Sequence, residues 1–119
     1  MFPIADLHTH PLLPQYYFRK DLGKRQKTSL AYPYFPFGTQ IDLPRMKESG
    51  VTLMVACVYA LNRLPHKDCF EMAKAQIEMF TRWVEEHQDA CEHAKNLEDA
   101  ERIQASGRIA VILALEGGH

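Results

Sequence analysis

Val51-Thr52-Leu53-Met54-Val55-Ala56-Cys57-Val58-Tyr59 is a continuous apolar run, partly β-branched. Such a run fits a strand covered on both faces, as in a parallel sheet, and lacks the apolar/polar alternation of a sheet with one wet side. A second run of the same kind, Ile109-Ala110-Val111-Ile112-Leu113-Ala114-Leu115, follows Arg108. A shorter one opens the chain, where Ile4, Ala5 and Leu7 lead into His8. Helices are predicted between these strands. Asp42-Leu43-Pro44 reads as an N-cap with proline in the first turn, and Gly50 closes that short helix. Asp68 and Glu71 resemble a capping box, and Phe70, Ala73, Ile77, Phe80 and Val84 recur at steps of three and four. Met72, Met79 and Trp83 are read as further packing of this long amphipathic helix on the sheet. Asn96 and Asp99 open another helix, which Gly107 ends.

Strands alternating with helices predict an α/β fold with a parallel sheet. One domain over residues 1–119 is expected, and it ends on an uncovered strand, as an interrupted domain would. From Pro11 to Gly38 runs a segment rich in proline and aromatics without sustained periodicity. Loops longer than about 12–15 residues are uncommon in compact domains and usually functional, so residues 11–38 are expected to form a lid-like loop.

The bulk numbers exclude several classes. A net charge of -1, from 14 basic and 15 acidic residues, gives no global attraction to nucleic acid or to an anionic membrane. Arg19, Lys20, Lys24, Arg25 and Lys27 do cluster, beside Tyr16 and Tyr17, yet no nucleic-acid module accompanies them. The expected reading is a solvated lid whose aromatics pack on the rim. Cys57, Cys69 and Cys91 form no close-spaced pair, which argues against a disulfide framework and a zinc ribbon. With no leader pattern and no apolar stretch of about 18 residues, the expected location is cytoplasmic.

The chemistry concentrates at strand ends. Asp6-Leu7-His8-Thr9-His10 closes the first strand, and alternate residues of a strand share a face. His8 and His10 are therefore candidate ligands of one ion, with neutral imidazole suited to zinc, iron, nickel or cobalt. Glu116, the first charge after the third apolar run, reaches the same end of the sheet. A carboxylate there can bridge two divalent ions, although a solvated strand end explains it as well. Gly117 and Gly118 permit positive φ, and His119 is a candidate outer donor that an exposed terminal histidine explains equally.

These residues resemble the membrane (renal) dipeptidases. Asp6-Leu7-His8-Thr9-His10-Pro11, then Ile41 to Val51, then Ala114-Leu115-Glu116-Gly117-Gly118-His119 occur in that family's order. The resemblance implies the N-terminal three β/α units of a TIM (β/α)8 barrel, incomplete in this chain. It also implies two zinc ions and hydrolysis of a small dipeptide. His8 and His10 then correspond to ligands of one ion and Glu116 to the bridging carboxylate, with Asp6 and His119 as outer or substrate-loop candidates. The better-known members carry aspartate where this chain has His10, which makes the site less negative. The family's ligands for the second ion would lie beyond His119, so the 119-residue chain is expected to bind metal weakly and turn over little. Homo-oligomerisation is compatible with these residues. Two rivals share the opening motif or dispense with chemistry: a metal-dependent phosphoesterase or deoxyribonuclease of the histidinol-phosphatase type, and a non-catalytic incomplete barrel. Pro11-Leu12-Leu13-Pro14 after the histidines and the glycine pair after Glu116 favour the dipeptidase.

Overall fold

Both long apolar runs form adjacent parallel strands in the centre of the sheet, as their lack of alternation requires. In the computed structural model, residues 2–26, 41–60 and 68–117 are described. In chain order the elements are β1 (Ile4–Thr9), α1 (Leu12–Phe18), α2 (Leu43–Glu48), β2 (Val51–Tyr59), α3 (Cys69–Glu86), β3 (Cys91–His93), α4 (Leu97–Ala105) and β4 (Ile109–Glu116). The sheet order is β1-β2-β4-β3, and every pair is parallel.

Two expectations are corrected. The described sheet has four strands rather than three, because Cys91-Glu92-His93 adds beside the start of β4, Cys91 pairing with Ile109. Three residues of mixed polarity carry no periodicity to detect. The segment read as a lid-like loop also contains α1, which Arg19 ends in the left-handed conformation at φ 52°. Its prolines sit in the first turn or just before it, where a missing N–H costs nothing, so they are compatible with a helix. Residues 27–38 of that segment lie outside the described residues.

The strand order decides which faces the helices cover. The chain crosses from β2 past β4 to β3 and then steps back to β4, and right-handed crossovers in opposite directions put their helices on opposite faces. Accordingly, one core gathers Leu12, Met46, Met54, Val58, Phe80, Trp83, Ile109 and Val111 under α1, α2 and α3. A smaller one gathers Ala94, Ala100, Ile103 and Ala110 under α4, on the other face. The caps predicted from sequence are present. Asp42 accepts from Arg45 N–H at 2.8 Å, Asp68 from Phe70 N–H at 2.8 Å and Asn96 from Asp99 N–H at 2.8 Å.

The buried stripe of α3 is rotated from the expected one. Met72, Gln76, Phe80, Trp83 and Val84 are buried, whereas Phe70 and Ile77 are 71% and 43% exposed. Phe70 and Ile77 instead line an apolar groove of about 450 Å³ with Val58, Leu113 and Leu115. Cys57 and Cys91 are buried and Cys69 is exposed. Burial pushes the Cys91 thiol up to about 12, which keeps it a protonated, inert core residue.

The turn after α1 is fastened on two sides. Asp42, fully buried, takes Gln26 N–H at 3.0 Å and the Arg45 guanidinium at 2.9 Å, and Leu43 N–H donates to the Leu22 carbonyl at 2.9 Å. On the other side Asp21 accepts from Gly23 N–H and contacts His87 Nε2, both at 2.9 Å. Of the basic cluster, Lys24 pairs with Asp21 and Arg25 with Glu48. Burial alone would raise the Asp21 carboxyl, but hydrogen bonds from Gly23, Lys24 and His87 outweigh it and hold the pKa below the ordinary value. The stability it contributes is therefore present above the unfolded carboxyl pKa, about 3.9, and lost as pH falls through the lower folded value. A Cβ on Gly23 would stand 2.0 Å from His87 Nε2. Gly23→Ala is expected to displace that ring at a cost of about 1–3 kcal/mol, typical of overpacking. Urea unfolding across pH 2–6 checks this, with a shallower acid loss expected in the variant; unchanged curves would show that the His87 ring yields freely.

Candidate metal centre

His8, His10 and Glu116 converge at the C-terminal ends of β1 and β4. The register between β1 and β2 runs Asp6 to Met54 but Thr9 to Ala56, three residues against two. This is a β-bulge, a device that re-aims side chains at the edge of a site. Thr9, buried, ties the strand end down by donating to the Val55 carbonyl at 3.1 Å. Asp6 accepts from His8 N–H at 3.2 Å, so it stiffens the bulge and is not among the converging donors. From the other side of the sheet centre, β4 brings up Glu116, whose Cα partner on β2 is Tyr59. Gly117 follows at φ 65°, a conformation other residues resist. Gly118 and His119 lie outside the described residues.

The three donors form a nearly equilateral triangle. His8 Nε2 is 3.0 Å from Glu116 Oε2, His10 Nε2 is 3.1 Å from the same oxygen, and the two Nε2 atoms are 3.1 Å apart. No protonation pattern satisfies all three contacts at once. If both Nε2 atoms carry protons for the carboxylate, they confront each other as two donors. If one is bare, it can accept only from a protonated carboxyl, and the single proton on the other Nε2 must then serve two acceptors at once; if both are bare, their lone pairs face each other. A cation among the three satisfies every edge, and ligands of a tetrahedral zinc at about 2.0–2.1 Å lie about 3.3 Å apart. The donor set thus fits a borderline divalent ion, two imidazoles and one carboxylate leaving positions open. His10 Nδ1 is buried without a hydrogen-bond partner among the described residues.

Around the triangle, the His8 and His10 rings meet edge to face with centroids 4.9 Å apart, and Tyr59 meets His10 in the same way at 6.0 Å. Cys57 lies in β2 two residues before Tyr59. Burial first, then the Glu116 and Asp6 charges, raise its pKa and outweigh the backbone hydrogen bond of Thr9. Sequence reasoning did not assign Tyr59 to the site. The signal was present in its place at the end of β2, level with Glu116.

The sequence profile of the membrane dipeptidases, peptidase family M19, matches residues 1–119. The chain belongs to this family. Solved structures agree at the level of fold. One similar structure is dipeptidase AC, a metallopeptidase of family M19, with a TM-score of 0.74 and 18% identity over 97% of this chain and 35% of that one. Another is the probable dipeptidase PvdM from Pseudomonas aeruginosa, with a TM-score of 0.62 and 16% identity over 94% of this chain and 28% of that one. No curated protein sequence matches significantly. This M19 chain therefore spans about a third of the length of the solved dipeptidases it is similar to. Among the described residues, no helix of the M19 chain is long and apolar enough to cross a membrane.

Proposed function

We propose that this chain is the metal-binding front of a zinc-dependent dipeptidase, with His8, His10 and Glu116 as ligands and Glu116 shared with a second ion. The observation that carries the reading is the 3.0–3.1 Å triangle of donors, which no arrangement of protons satisfies. Membership of family M19 supports peptide hydrolysis over phosphate-ester hydrolysis. When bound, the ions supply Lewis acidity and lower the pKa of water toward about 7. The protein's own part is to hold that chemistry in place. The bulge and the Thr9 hydrogen bond set the histidine side, β4 sets the carboxylate, and the Tyr59 ring walls one flank of His10. The substrate proposed is a small dipeptide, handled in the cytoplasm, with a homo-oligomer compatible with the reading. In this reading the rest of the barrel belongs to the part of the solved dipeptidases' length that this chain does not span. The 119-residue chain alone is then expected to bind zinc weakly and turn over little.

Zinc competition against a chromophoric chelator, with paired assays on an Ala-D-Ala-type dipeptide and a phosphate ester, tests this. The assays use both this chain and a version extended to family length. Zinc binding with dipeptide turnover only in the extended protein is the expected result. Phosphate-ester turnover without dipeptide turnover would replace the reading with a phosphoesterase. Dipeptide turnover by the 119-residue chain would overturn the incomplete-site part of it.

A further inference from the structure

His10 stands just beyond the end of β1, and its buried Nδ1 has no hydrogen-bond partner among the described residues, so packing must do much to orient its ring. The Tyr59 ring provides part of that packing, edge to face at 6.0 Å. Tyr59 itself sits where its strand loses a neighbour. The Val55 carbonyl faces β1, because Thr9 Oγ1 donates to it. Tyr59, four residues on, presents its backbone N–H and carbonyl to the same side by the period of two. There β1 has already ended, its last pairing being Thr9 with Ala56.

Gln76 fills the gap. Its side-chain amide donates to the Tyr59 carbonyl at 2.8 Å, and Tyr59 N–H donates to Gln76 Oε1 at 3.3 Å. One amide thus replaces the donor and acceptor of a missing strand. Gln76 is 0% exposed and lies in the middle of the buried stripe of α3, between Met72 and Phe80. A leucine there would suit the helix face, but it would leave two partly buried backbone groups without that partner, each with a desolvation cost.

We infer that Gln76 is a positioning residue for the metal centre: by bonding both backbone polar groups of Tyr59, it fixes the ring that orients His10. The inference rests on the metal-ligand reading of His10. Outer residues that orient a ligand typically change metal affinity by about 10–100-fold.

The test uses the 119-residue chain with Gln76→Leu, Gln76→Glu, Tyr59→Leu and the Gln76→Leu/Tyr59→Leu double variant. Co2+ dissociation constants come from visible absorption, and the His10 ring signals are followed by NMR in metal-free protein. Gln76→Leu is expected to weaken Co2+ binding about tenfold and to move the His10 signals toward those of Tyr59→Leu, as the Tyr59 ring current is withdrawn. Added to Tyr59→Leu, it should have no further effect on Co2+ binding. Full additivity in the double variant, or unmoved His10 signals, would overturn the inference, because a purely structural role adds independently. Gln76→Glu keeps the shape and the acceptor for Tyr59 N–H, so it should fall between parent and Gln76→Leu and serves if the leucine variant does not fold. A parent chain that binds no Co2+ would defeat the metal reading and with it the metal role of Gln76, whereas the His10 shift separately reports whether Gln76 fixes the Tyr59 ring against His10.

Discussion

Glu116→Ala is expected to weaken zinc binding by about 100-fold or more, close to 3 kcal/mol. The carboxylate is the only anion in the triangle and touches both imidazoles, at 3.0 and 3.1 Å. Its removal leaves two neutral donors and takes away the charge that offsets a divalent ion. Glu116→Gln separates the two contributions, since it keeps the volume and one acceptor oxygen but loses the charge. It should retain little more affinity than the alanine variant if charge dominates. His8→Ala should act in the same direction, leaving one imidazole and the carboxylate. Competition titration at neutral pH reads all three, and affinity within about threefold of the parent for Glu116→Ala would remove Glu116 from the ligand set. The fold should be little affected, because Glu116 lies at a strand end and is partly exposed.

The largest stability effect is expected at Phe80. Among the described residues it is the largest of the fully buried side chains, and it packs into the main core with Met54, Val58 and Trp83, its ring edge to face with His93 at 5.0 Å. Phe80→Ala is expected to cost about 3–5 kcal/mol, lost transfer energy plus the cavity left behind. At roughly 4–8 °C per kcal/mol for a domain near this size, the melting temperature should fall by tens of degrees. Burial also pushes the pKa of His93 down, with Lys95 adding to the shift. Opening a cavity beside that imidazole should let it titrate nearer its usual range. Phe70→Ala is the control. Phe70 is 71% exposed on the groove beside β4, so its removal should change stability by no more than about 0.5 kcal/mol, as at ordinary surface positions. Equal losses from the two substitutions would mean that the groove is covered in solution. Thermal and urea unfolding give both values.

The groove also explains why the face of α3 was read incorrectly. Phe70 and Ile77 belong to an apolar stripe wider than the sheet that this chain provides, so periodicity marks them as core although they are exposed. Gln76 was invisible for the opposite reason. A single polar residue within an apolar stripe carries no pattern, and its meaning appears only when the end of β2 is found without a neighbour.

The amino-acid sequence by itself determined the central strands, the capped helices and the pairing of imidazoles at one strand end, because each rests on local periodicity or local hydrogen bonding. Asp42, Asp68 and Asn96 cap the helices they precede, and β2 and β4 occupy the apolar runs. It also placed Glu116 at the same end of the sheet as His8 and His10. Only the tertiary structure decided that β3 lies outside β4, that α4 covers the opposite face, and that His8 and His10, past a register shift in β1, meet a carboxylate more than 100 residues away. Strand order, register and the meeting of distant side chains are set by long-range packing, which leaves no period in the sequence to read.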